Sequence, residues 1–249
     1  MIVLETVAVA FAMFSAIPMP QINWNERNMR YSLCAFPLVG AAIALALWGW
    51  ELLCARFALP PILRGAGLCL LSVLITGGIH LDGYTDTWDA LSSHSDTKKR
   101  QEILKDPHLG AFAGIRLCAY FVASFALWTA SNKLRLPVLL GLFMLSRSLS
   151  GLALTLFPIR PGSGLARSFS EAADQKRVRN VLLTLSVLLA LLLFWQRAGE
   201  AALAAGAVFL YYRGMCVKAF GGLSGDLAGW FLQTAELWML AAVVLRSYL

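Results

Sequence analysis

Charged side chains are scarce in this sequence. Asp, Glu, Lys and Arg supply 14% of its 249 residues while 59% are apolar, and mean hydropathy is positive at +0.68, so too little polar surface exists to coat a water-soluble domain. The cysteines Cys34, Cys54, Cys69, Cys118 and Cys216 lie far apart and form no CxxC pair, which supports neither a zinc site nor a disulfide framework. His80, His94 and His108 show no ligand spacing. The amino-terminal stretch 2–17 carries Glu5 but no early Lys or Arg, so it lacks the basic start of a cleavable signal peptide and is expected to stay attached. The formal net charge is +7, yet no basic face interleaved with aromatic residues is present, which argues against nucleic acid as a partner. Low-complexity tracts, internal repeats and polar stretches of domain length are missing as well. Residues 1–249 therefore read as a single transmembrane unit.

What is abundant is apolar runs of membrane length. Spans are predicted at about Leu33–Cys54, Ile62–Leu81, Ala111–Ala130, Pro137–Phe157, Val178–Gln196, Ala201–Phe220 and Leu227–Leu245, each near the ~20 residues a bilayer requires. The stretch 2–17, stopped by Pro18 and Pro20, is too short for a comfortable span and reads as an interfacial or partly inserted helix, with full insertion as the alternative. The expected fold is thus all-α, a polytopic helical bundle of about seven transmembrane helices plus that first segment. Basic residues favour one set of alternate loops (Arg27, Arg30, Lys98–Arg100, Lys105, Arg160, Arg167, Lys176, Arg177, Arg179, Arg213, Lys218) over the other (Arg56, Arg64, Lys133, Arg135, Arg197, Arg246). The positive-inside rule places the first set in the cytoplasm.

Almost all the acid lies on that same side. Asp82, Asp86 and Asp89, spaced i, i+4 and i+7, fall within about a 60° arc of one face if the segment is helical. Three like charges so close repel, and a hard cation that takes oxygen ligands and keeps waters for a phosphate, magnesium, resolves the repulsion. Capping accounts for one such aspartate but not for three on one face. Lys105 and Asp106, in a basic stretch expected to be an amphipathic helix ended by Pro107 and Gly110, are candidates to face a phosphate and to join the metal cluster; a solvated loop is the plainer reading. The loop Pro161–Phe169 brings Gly164 and Arg167 together as a candidate phosphate cradle. Asp226 opens the last apolar run and Glu236 lies about three turns deeper, where it needs a partner. Arg147 sits well inside a span; it either pairs with a carboxylate such as Glu236 or holds an anionic ligand, and the second reading is preferred here. His80 is read as a hydrogen-bonding residue.

These motifs resemble the cobalamin 5′-phosphate synthase family, also called adenosylcobinamide-GDP ribazoletransferases. The resemblance rests on Gly78–Gly83 with Asp86-Thr87 and Asp89-Ala90, Glu102–Asp106, Leu109–Ala111, Gly221-Gly222, Gly225-Asp226 and Glu236-Leu237. Ile17–Pro20 and Phe36–Gly40 extend it over nearly the whole chain. The sequence departs at Tyr84-Thr85, Pro107 and Leu227, and at Gln233, where a glutamate is common. The resemblance implies a magnesium-dependent inner-membrane transferase, its site facing the cytoplasm, that joins α-ribazole or its 5′-phosphate to adenosylcobinamide-GDP and releases GMP. It makes Asp82, Asp86 and Asp89 the metal-binding aspartates with Asp106 and Asp226 in support. His80, Gly83, Gly164, Arg147 and Arg167 are then expected at the substrate, and Lys105 beside the reacting phosphates. Partners are the corrinoid and nucleoside substrates and the bilayer, with assembly into homo-oligomers or with other corrinoid-assembly enzymes left open. The rival readings are a CDP-alcohol phosphotransferase or prenyltransferase, and a cation transporter using the aspartates as a pathway. The Ala-Arg and Gly-xxx-Asp-xxx-Asp of the phosphotransferases are absent.

Overall fold

The computed structural model describes residues 2–248. The chain forms α1 (Ile2–Phe14), α2 (Glu26–Met29), α3 (Ser32–Arg56), α4 (Pro61–Thr76), α5 (Ile79–Ser92), α6 (Thr97–Ile103), α7 (Ala111–Ala130), α8 (Leu136–Leu156), α9 (Leu165–Ala172), α10 (Gln175–Trp195), α11 (Gly199–Phe220) and α12 (Gly225–Arg246). Among the described residues the sole extended pairing is an isolated parallel bridge between Ile159 and Leu223. The architecture is all-helical, as expected.

Among the described residues five helices are long and apolar enough to cross a membrane: α3, α7, α8, α10 and α12. Seven spans were expected. α11 has the length at 22 residues but is interrupted by Glu200, Arg213 and Lys218. The predicted span Ile62–Leu81 is broken: α4 ends at Thr76, and α5 leaves it at 94°. Gly77 (φ 65°) and Gly78 (φ 79°) make the turn, both in the left-handed region that side-chain-bearing residues avoid. If the bent pair counts as one span the total is six. Hydropathy runs on through this turn, which is why apolarity alone does not reveal it. The first apolar helix ends at Phe14, ahead of Pro18. α6 stops at Ile103, short of Pro107, its last turn closed by bonds from Lys105 N to Glu102 O and from Asp106 N to Ile103 O.

α8 is the centre of the bundle. It packs against α3, α10 and α12, with Leu139, Leu142 and Arg147 fully buried. α7 and α10 turn large apolar side chains outward, among them Phe112, Ile115, Val122, Leu183, Leu191 and Phe194, the surface a hydrocarbon environment accepts and water does not. One end of the bundle is locked by Arg64, which grips Glu51 with Nε (2.8 Å) and Nη2 (2.6 Å) while Nη1 donates to Ser131 O at 3.0 Å. The opposite end gathers α5, α6, α9, the end of α11 and the start of α12, with α6 tied to α11 by Gln101 Nε2 donating to Phe220 O at 2.7 Å. The aspartate segment lies at this second end.

Candidate active site

α5 is helical throughout the aspartate segment, so Asp82, Asp86 and Asp89 do share one face. α12 crosses α5 at two glycines. A methyl group on Gly83 would lie 2.6 Å from Asp226 O, and one on Gly229 would lie 2.8 Å from His80 O, so only hydrogen permits the approach. Ser224 caps α12 through Leu227 N (3.5 Å), and Asp226 stands in the first helical turn. Asp86 consequently lies in the negative field of Asp82, Asp226 and Asp89 together. Among the described residues none of these four carboxylates enters a salt bridge.

Beside this cluster opens a cavity of about 190 Å³. Asp82 and Asp226 supply its carboxylates, and Gly83, Gly225 and Gly229 bare its backbone. Phe14 from α1, Phe36 from α3, Ser150 and Leu154 from α8, and Leu165, Ala166 and Phe169 from α9 complete it. His80 also lines it, buried at 5% exposure with both ring nitrogens lacking a partner. Among the described residues the expected hydrogen bond of His80 is therefore not made. Sequence reasoning missed the aromatic wall, because Phe14, Phe36 and Phe169 are apolar residues in apolar surroundings and carry no local signal.

Lys105, Asp106, Arg147, Gly164 and Arg167 are not among the residues that line this cavity. Arg167 is exposed and paired with Glu171 through Nε at 2.6 Å, one turn along the same short helix. Lys105 is exposed. Asp106 is exposed too, and the His108 amide (3.0 Å) and ring Nδ1 (2.7 Å) occupy its carboxylate, holding its carboxyl below the usual carboxylate range. Gly110, not Asp106, reaches the cluster: a methyl there would lie 2.1 Å from Asp89 Oδ1. Gly164 enters α9 at φ 54°, next to the cavity-lining Leu165. Arg147 is fully buried and its Nη1 donates to Glu236 Oε1 and, at 2.9 Å, to Ser146 Oγ. Ser146 Oγ also donates to Glu236 at 2.9 Å. The structure pairs the Arg147 guanidinium with Glu236, the carboxylate the sequence offered as the alternative to an anionic ligand, while its Nε and Nη2 meet no partner among the described residues. Gln233, the departure from the family pattern, accepts from Tyr120 Oη at 2.5 Å.

Among the described residues no three His, Cys, Asp or Glu side chains converge on a single metal position. The donor set still fits magnesium, which keeps several waters and binds through one or two carboxylates plus substrate phosphate oxygens rather than in an all-protein cage. The carboxylates are hard donors that repel one another, and among the described residues none has a salt-bridge partner. Because the α5–α12 crossing has no room for a methyl, Gly83→Ala is expected to lower stability by about 1–3 kcal/mol. Gly114→Ala, inside α7 with nothing within 4 Å of the added carbon, is expected to raise it slightly, by about 0.4–1 kcal/mol. Thermal melts in detergent check the pair.

The family profile described as cobalamin-5-phosphate synthase matches residues 6–244. An adenosylcobinamide-GDP ribazoletransferase of Lachnoclostridium phytofermentans is 38% identical over 247 residues, 98% of this chain and 95% of the relative. Relatives of the same name from a Geobacillus species (34% identity, 92% of this chain and 90% of the relative) and Desulfitobacterium hafniense (33%, 92% of each) are also similar. No solved structure matches the chain.

Proposed function

The chain belongs to the cobalamin-5-phosphate synthase family, and from that premise we propose that it is a membrane-embedded adenosylcobinamide-GDP ribazoletransferase acting late in cobalamin biosynthesis. A hydroxyl of α-ribazole, or of its 5′-phosphate, attacks the phosphorus attached to the corrinoid side chain. A P–O bond forms, the P–O bond to GMP breaks, and the hydroxyl proton is released. The observation that carries this reading is the pair of carboxylates, Asp82 and Asp226, in the wall of a largely apolar, aromatic-lined cavity, with Asp86 and Asp89 on the same face of α5.

Magnesium held by one or two of these aspartates and by diphosphate oxygens would supply the positive charge that stabilises the departing GMP oxygen. The protein's own contribution is positioning. α5 and α12 fix the carboxylates on rigid helices, the glycines at their crossing allow close approach, and the aromatic wall excludes water from one side of the reacting centre. Loops on the aspartate side carry the excess of Lys and Arg, which supports an inner-membrane enzyme whose site faces the cytoplasm.

A cation pathway would require free carboxylates strung through the bundle. Glu236 is tied to Arg147 and Glu51 to Arg64, which favours the transferase. Membranes containing the chain, given adenosylcobinamide-GDP with either α-ribazole or α-ribazole 5′-phosphate, are expected to form adenosylcobalamin or its 5′-phosphate. Product analysis by chromatography checks this, and no product from either acceptor would remove the reading.

A further inference from the structure

Between α8 and α9 the chain runs as a strap, residues 157–164, pinned across the start of α12. Leu223 N donates to Pro158 O at 2.8 Å and Arg160 N to Leu223 O at 3.0 Å, the two bonds of the isolated parallel bridge. Gly222, at φ 145°, lets the strap close, since a methyl there would lie 2.7 Å from Arg160 N. These bonds fix Arg160, which sequence analysis entered only as a loop charge.

Arg160 is 5% exposed. Among the described residues it forms no salt bridge, and its Nη1 is buried without a hydrogen-bond partner. A guanidinium does not relieve burial by losing its proton, and an uncompensated buried charge is strongly unfavourable. Its field reaches the Asp226 carboxylate, which lines the cavity. A second unsatisfied group lies on the same strap: Ser163 Oγ is buried without a partner, in a turn closed by Ser163 N to Arg160 O at 3.2 Å. The chain then enters α9, whose first amides have no intrahelical carbonyl to meet, and Leu165 and Ala166 of that first turn wall the cavity.

Resting on the transferase reading, we infer that Arg160, supported by Ser163 and the first turn of α9, is a substrate-binding residue that takes the phosphate of the guanine nucleotide. It would hold the GMP half of the diphosphate before transfer and GMP after it. The aspartates with their cation and the Arg160 guanidinium would then meet the same diphosphate, and the bidentate fork of Arg160 matches phosphate oxygens. The role expected of the exposed Arg167 thus falls to the buried arginine earlier in the same loop.

The test uses the full chain in detergent with magnesium and GMP as the probe. Arg160→Gln is expected to weaken GMP binding by about tenfold to a hundredfold, as loss of hydrogen bonds to a charged group does, with the ligand-free melting temperature little changed. Arg160→Lys keeps the charge without the fork and should recover part of the affinity. If Arg160→Gln does not accumulate, Arg160→Lys alone decides: weakened GMP binding at an unchanged ligand-free melting temperature supports the inference, and wild-type affinity overturns it. A wild-type protein that binds GMP through Arg160 but forms no product would defeat the transferase reading and leave the phosphate site standing. Normal turnover with GMP affinity unmoved in both variants would defeat the phosphate site alone.

Discussion

Asp82→Asn and Asp86→Asn are each expected to reduce transfer by about a thousandfold or more, the several kcal/mol that a correctly held metal ion contributes to a phosphoryl-transfer transition state. The same variants should keep or slightly raise the melting temperature measured without metal. Four carboxylates share one region and among the described residues none has a cationic partner in salt-bridge range, so removing one charge relieves repulsion and strands nothing. This opposition of signs separates a functional cluster from a structural one. Carboxylates that held the fold would lose activity and stability together, and near-normal turnover in either variant would remove the metal-site claim. Kinetics and melting curves on one detergent preparation give both readouts.

Arg147→Leu is expected to do the opposite, with its first effect on stability. The guanidinium is fully buried and bonded to Glu236 and Ser146, so its loss leaves a carboxylate inside the bundle with the Ser146 hydroxyl but no charged partner, at about 3–5 kcal/mol. The double variant Arg147→Leu/Glu236→Leu should recover most of that loss, because the charge is removed with its partner. Melting temperatures of both single variants and the double make the cycle. Equal loss in the double variant and in Arg147→Leu would show that the pair is not the reason for the burial. A stable, folded Arg147→Leu protein with sharply weaker nucleotide affinity would return Arg147 to the substrate.

These two sites differ in how far the sequence discloses them. The aspartates were legible because their chemistry and period are local: three carboxylates at i, i+4 and i+7 in an apolar chain fix a face as soon as the segment is helical. Helix identity was legible for the same reason, since runs such as Ala111–Ala130 and Leu136–Leu156 announce themselves by composition. The Arg147–Glu236 pair joins residues 89 positions apart; the sequence offered Glu236 as a partner, but nothing local decides between that carboxylate and an anionic ligand. Arg167 and Arg160 share one loop, and only the bridge to Leu223 decides which of them is buried. The break at Gly77-Gly78 was hidden for a different reason: backbone conformation, not hydropathy, ends α4.

The central claim is that unpaired carboxylates on α5 and α12 promote transfer of a diphosphate-linked group, with magnesium between them and the substrate. Its most direct test is the rate of GMP release by purified protein from adenosylcobinamide-GDP, measured with and without α-ribazole while magnesium is removed by chelation and then restored. The account expects release only when acceptor and magnesium are both present, loss on chelation, recovery on adding magnesium back, and no recovery for Asp82→Asn. Release at the full rate in excess chelator, or release unaffected by Asp82→Asn, would contradict it.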